Sequence, residues 1–172
     1  MVGGTGGASS GGASSGAAAS IGSLGSLPAE ATLAIAQGDE AALLAWLDSG
    51  GQVNATREAG NRSGVAALML AAHHGHERVG ELLLQRGAEI NLQDSNGETA
   101  LMGAAEEGHE RVVELLLQRG AEIDLQSGEG GTALMIAAVK GRERVVELLL
   151  QRGAEINKQD GFGGTALMDA AL

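Results

Sequence analysis

TALMGAAEEGHERVVELLLQRGAEID, residues 99–124, reads as two short helices joined by a tight turn. Thr99 stands where a hydroxyl can accept from an orphan amide at a helix start. Leu101, Met102, Ala104 and Ala105 then give an apolar stripe at helical spacing. Gly108 ends that helix, because glycine tolerates the left-handed conformation that closes a C-terminus. A second helix follows, with Val112, Val113, Leu115, Leu116 and Leu117 predicted inward and Gly120 as its stop. Glu110 in its first turn and Arg119 in its last both suit the helix dipole. Arg111 and Glu114 are placed to pair at i,i+3, which contributes about 0.2–0.5 kcal/mol. Helices this short are not stable alone, so the pair must be packed against neighbours.

The neighbours are copies of the same unit. ELLLQRGAEI begins at Glu81, Glu114 and Glu147, and TALM begins at Thr99, Thr132 and Thr165, each a spacing of 33 residues. SGVAALMLAAHHGHERV, from Ser63, is an earlier copy in which Ala66 replaces the threonine. LAIAQGDEAALLAWLDSGGQVN, Leu33 to Asn54, is a degraded first copy. Its Gly38 matches Gly75 at a spacing of 37, so four extra residues fall in the ATREAGNRS stretch between. Self-similarity at such a period marks a stacked repeat array. The units run approximately 30–63, 64–96, 97–129, 130–162 and 163–172. Residues 1–27 are mostly Gly, Ser and Ala, too poor in apolar surface to offset ordering entropy, and are expected to form a disordered tail. Order is expected to begin near Pro28 to Ala31, making 28–172 the array.

The T-x-L-x-x-A-A-x-x-G core, the V-x-L-L-L-x-x-G-A-x-[IV]-[ND] tail and the 33-residue period resemble the ankyrin repeat, over about residues 30 to 172. The resemblance implies an all-α solenoid of stacked antiparallel helix pairs, with finger loops projecting from one edge. It also implies a concave surface of fingers and first helices that binds other proteins. Two departures concern the family's T-P-L-H, which is T-A-L-M here: Pro gives way to Ala67, Ala100, Ala133 and Ala166, and His to Met69, Met102, Met135 and Met168. Loss of the preset proline φ and of the histidine hydrogen bonds is expected to lower stability without changing the fold. Leu167, Met168, Ala170, Ala171 and Leu172 form an apolar stripe with no second helix behind it. Arrays usually end in a polar capping unit, so a fragment or truncated product of a longer protein is expected.

Composition narrows the function. The formal charge is −11, from 11 Lys and Arg against 22 Asp and Glu, and a phosphate backbone demands clustered cations, so nucleic acid is a poor partner. No run approaches the 18 apolar residues of a membrane span, and MVGGTGGASS lacks the basic and apolar regions of a secretion signal. A monomer of the cytoplasm or nucleus is expected. The sequons at Asn54 and Asn61 matter only on export. With no cysteine there is no thiolate chemistry. Adjacent His73 and His74 point in different directions on a helix and Gly75 starts a turn, His76 and His109 match the family's ordinary Gly-His turn position, and no Cys or carboxylate set completes a metal site. Phosphate-loop, nucleophile-elbow, zinc-protease and kinase motifs are all missing, and paired carboxylates such as Glu106 and Glu107 sit on an open helical surface. No cofactor and no catalysis are expected.

Comparison of the copies with one another separates framework from surface. The second helices are nearly identical, whereas the end of the first helix changes from His73-His74 to Glu106-Glu107 to Val139-Lys140. The finger tips vary as well, through Arg62, Ser63 and Val65, then Ser95, Asn96 and Glu98, then Glu129, then Phe162. By the resemblance these positions form the row that faces a protein partner, with Phe162 a candidate hot spot. Asn91 and Asn157 are similar to the target pattern of ankyrin-directed asparaginyl hydroxylases, or else close the inter-repeat loop by side-chain hydrogen bonds. Two functional readings follow: a scaffold whose ligand crosses residues 62 to 164, or a regulatory or targeting module of a larger enzyme or channel. A recently duplicated array without an evolved partner is the third.

Overall fold

A computed structural model describes residues 25–169. Helix α1 (Ala29–Gln37) and α2 (Glu40–Asp48) make the first pair, followed by strands β1 (Thr56–Ala59) and β2 (Arg62–Ala66). Three more pairs follow: α3 (Ala67–His73) with α4 (Glu77–Gln85), α5 (Ala100–Glu107) with α6 (Glu110–Gln118), and α7 (Ala133–Val139) with α8 (Glu143–Gln151). Helix α9 (Ala166–Asp169) opens a further unit. The first helices stack in the order α1, α3, α5, α7, α9, and the second helices stack as α2, α4, α6, α8. The architecture is therefore an all-α solenoid of two helical rows with one small sheet.

Alanine makes the first row close. Ala71, Ala72, Ala104, Ala105 and Ala137 are buried where first helices meet, and short side chains let the backbones approach. Larger residues from the second row close the core: Leu43, Leu83, Leu116 and Leu149, one per unit, are each wholly buried. One continuous apolar cluster runs from Leu27 to Ala166.

The start of each first helix follows from the threonine. Thr99 Oγ1 accepts from the Met102 amide at 3.3 Å and Thr132 Oγ1 from Met135 at 3.4 Å. Ala66 has no hydroxyl; there the Met69 sulfur lies 3.4 Å from the Ala66 amide and takes its hydrogen bond.

Helix α4 carries a glycine, Gly80, where the copies have Val113 and Val146. A Cβ at Gly80 would meet Leu115 at 3.7 Å and Leu68 at 3.9 Å, ordinary van der Waals contact. The helix therefore carries the backbone-entropy cost of glycine without a steric need for it. Gly80→Ala is expected to raise stability by about 1 kcal/mol, read as a higher urea midpoint at unchanged slope.

Two expectations need correction. The Arg111–Glu114 pair does not form: the Glu114 carboxylate is taken by Arg152 at 2.9 Å. That bond belongs to a series that crosses repeats, with Arg86 on Asp48 and Arg119 on Glu81, both at 2.9 Å. Arg119 is the residue just past α6, and its guanidinium serves the preceding repeat rather than its own helix. Second, the array starts before Pro28. Leu27 is buried, its amide donates to Thr56 at 2.8 Å, and Ser26 forms a parallel bridge with Thr56. The four extra residues fall in the stretch the sequence marks and lengthen the first finger into the antiparallel β1–β2 hairpin, with a register shift between Arg57 and Ala59. The tail reading for residues 1–24, and that for residues 170–172, lie outside the described residues.

Candidate partner-binding face

The fingers are tied into a ladder by their own backbones. The Ser95 amide donates to Ser63 C=O at 2.9 Å, Gly128 to Asn96 at 2.7 Å and Gly161 to Glu129 at 2.8 Å. Each tip is also closed from within. Asp94 Oδ1 accepts from Asn96 and Glu98, both at 2.9 Å. Asp160 Oδ1 does the same for Phe162 at 2.9 Å and Gly164 at 2.7 Å. Behind the tips, the Gln93 amide donates to Gly97 C=O at 2.7 Å and to Gln126 C=O at 3.0 Å. Gln126 repeats the pattern on Gly130 at 2.8 Å and Gln159 at 2.9 Å. Such a ladder fixes the spacing of the tip side chains.

The ends of the first helices are held by the following repeat. His76 Nε2 lies 2.8 Å from Ala36 C=O, His109 Nε2 lies 3.0 Å from His73 C=O, and Arg142 Nε donates to Glu106 C=O at 2.8 Å. These side chains satisfy carbonyls that a helix C-terminus leaves orphaned. Imidazole and guanidinium do the same work in the same slot, which explains why histidine and arginine interchange there between copies.

Between fingers and first helices lies a groove of about 310 Å³ whose lining includes Glu98, Glu106, Glu129, Ile136, Val139 and Phe162. Phe162 is 88% exposed and Val139 is 60% exposed. Along the row, Lys140 Nζ sits 2.9 Å from Glu106 Oε1, and His73 Nδ1 sits 3.8 Å from Glu107 Oε1. The hydrogen bond to Glu106 holds Lys140 protonated to higher pH than a free lysine. Partial burial, then the neighbouring His73, His76 and His109, push His74 below the ordinary histidine value. His73 and His74 stack edge to face with ring centres 5.2 Å apart. The row therefore runs from a histidine pair, through an acidic centre, to an apolar and cationic end.

Not every sequence-derived position belongs to this face. Val65 is only 5% exposed; it lies on β2 and packs into the core, so it is removed from the contact row. Arg62 is committed internally, donating to buried Asp94 at 2.7 Å and pairing with Glu98 at 2.6 Å. Burial raises the Glu98 carboxyl above its usual pKa, and Arg62 opposes that rise. Ser63 is half-buried and its amide donates to Ser95 Oγ at 3.0 Å, whereas Ser95, Asn96 and Glu129 are exposed. His73, His74 and Lys140 are exposed and Glu106 and Glu107 half-buried. Ile136 was missed. Its slot holds Leu70, Gly103 and Ile136 in successive copies, so the same cross-copy comparison had the signal to find it.

Asn91 closes the inter-repeat loop. Its Oδ1 accepts from the Glu122 amide at 2.9 Å and its Nδ2 donates to the Glu122 carboxylate at 3.1 Å. Asn54 holds Glu89 by the same two bonds, Asp124 Oδ1 accepts from the Glu155 amide at 3.0 Å, and Asn157, in the last copy of the slot, is exposed. Among the described residues no three His, Asp or Glu side chains converge to hold a metal.

The family model described as "Ankyrin repeats (3 copies)" matches residues 32–127, 68–160 and 122–172. The chain is an ankyrin-repeat protein. No curated protein matches it. Ankyrin repeats generally mediate protein–protein interaction and are typically non-catalytic modules. In this ankyrin array the groove is lined by finger and first-helix residues and by none from the second helices. No helix among the described residues is long and apolar enough to cross a membrane.

Proposed function

We propose that this ankyrin-repeat protein is a non-enzymatic scaffold that binds a partner protein across the fingers and first helices of residues 62 to 164. One observation carries the reading: Glu98, Glu106, Glu129, Ile136, Val139, Lys140 and Phe162, all at positions that differ between copies, line one groove, with Phe162 and Val139 the most exposed. The near-identical second helices, by contrast, supply the core and the ion pairs that join one repeat to the next. Exposed aromatic and aliphatic side chains beside charged ones are what a protein interface uses as anchors and rim. The face is an open groove, and its carboxylates are partnered or solvated, so it lacks the enclosure that acid–base chemistry requires.

An affinity pull-down from source lysate tests this reading. The wild-type chain is compared with one carrying alanine at His73, His74, Glu106, Glu107, Val139 and Lys140, and circular dichroism verifies that both are equally helical. A protein retained by the wild type and lost from the variant is expected. Equal retention by both, or by neither, overturns the assignment of the face.

A further inference from the structure

The chain carries its own example of how a finger takes a guanidinium. The two carboxylate oxygens of Asp94 do different work. Oδ1 accepts from the Asn96 and Glu98 amides that close the tip, both at 2.9 Å, and Oδ2 accepts from Arg62 Nε at 2.7 Å. Arg62 comes from the preceding finger and also reaches the Glu98 carboxylate at 2.6 Å. Asp94 is buried beneath it.

Two 33-residue periods after Asp94, Asp160 stands in the same slot. Its Oδ1 closes the tip as before, on Phe162 at 2.9 Å and Gly164 at 2.7 Å. In the preceding finger, however, the position of Arg62 is Gly128, which brings no side chain. Asp160 is only half-buried, and Glu129 beside it across the finger ladder is exposed. Among the described residues no Lys or Arg pairs with either. Both line the groove that also holds Ile136, Val139 and Phe162. The other two carboxylates of that groove are answered from within, Glu98 by Arg62 and Glu106 by Lys140. The site lies between two fingers of the array. Its openness comes from Gly128, and the slot of Phe162 is exposed at Asn96 and Glu129 too, where a further finger follows.

We propose that this groove takes an arginine of the partner protein, with its guanidinium on Asp160 Oδ2 and Glu129 as that of Arg62 lies on Asp94 and Glu98. A neighbouring aliphatic side chain of the partner packs against Ile136, Val139 and Phe162. The inference rests on the binding face proposed above and names the chemistry that fills it. Arginine suits the slot better than lysine, because its planar fork reaches two carboxylates at once. The formal charge of −11 draws a cationic segment toward the face, whereas an acidic segment would meet Glu129 and Asp160 unpaired. The exposed Phe162 and Val139 supply the apolar anchor beside the charge.

The test selects binders to the full chain from a phage library of random twelve-residue peptides and maps the best of them by amide NMR shifts. Peptides with an arginine beside an aliphatic residue, shifting Glu129, Asp160 and Phe162, are expected. Asp160→Asn keeps the oxygen that closes the tip and removes the charge, and citrulline in place of the peptide's arginine removes the cation. Each change alone should weaken binding about threefold to fivefold, and the two together no more than either one. Glu110→Gln, on α6, should leave binding unchanged. Four results overturn the arginine site: no peptide recovered, peptides that fill the groove without arginine, additive losses, or an equal loss in Glu110→Gln, which would make net charge the attraction. Peptides that fill the groove without arginine would still leave the binding face standing, whereas peptides mapped to α6 and α8 would overturn the face itself.

Discussion

Leu116→Ala is expected to cost about 2–5 kcal/mol, seen as a large drop in the urea midpoint. The side chain is wholly buried in the central helix pair. Truncation removes its transfer energy and leaves a cavity between repeats that contact only their neighbours. A lesion there weakens coupling on both sides of the stack at once. Leu117→Ala, one residue on and half-buried at the edge of the core, should cost less than half as much. Equal losses at the two positions would contradict the orientation of α6.

Gly130→Ala is the second large effect, with an expected loss of more than about 2 kcal/mol. Gly130 has φ +84°, and a Cβ there would lie 2.5 Å from the Gly161 amide nitrogen and 2.9 Å from the Asp160 carbonyl carbon. These are backbone atoms of the next finger, held by the Gly161–Glu129 hydrogen bond, so they have little freedom to retreat. Gly163 separates the two causes. It shares the conformation, φ +83°, but a Cβ there would meet nothing within 4 Å. Gly163→Ala should therefore cost only the left-handed penalty of about 1–2 kcal/mol. Chemical denaturation of both variants measures the difference, which is the contribution of close finger packing.

Much of this architecture is legible in the sequence because it is local and repeated. The helix starts follow from Thr99 and Thr132, the first-helix stop from Gly108, and the inward stripe from the spacing of Val112, Val113, Leu115 and Leu116. What escapes sequence reading depends on the angle at which one repeat meets the next. Arg111 and Arg119 are both candidates for pairing a glutamate, and only the stacking geometry aims Arg119 at Glu81 and leaves Glu114 for Arg152. Val65 illustrates the complementary difficulty. It varies across copies, facing Glu98, Gly131 and Gly164 in the same slot, and variation suggests a surface position. The variation instead reflects the longer first finger, whose pairing of Arg57 with Val65 turns the valine inward. Arg62 likewise varies because it answers a buried carboxylate, Asp94, that other fingers replace with Ser127 or bind differently.

Hydrogen exchange of the chain with and without a partner recovered in the pull-down tests the central claim most directly. Slowed exchange in the fingers around Asn96, Glu129 and Phe162 and at the ends of α5 and α7, with α6 and α8 unchanged, is the predicted footprint. Protection of the second-helix row, with the fingers unaffected, would contradict it.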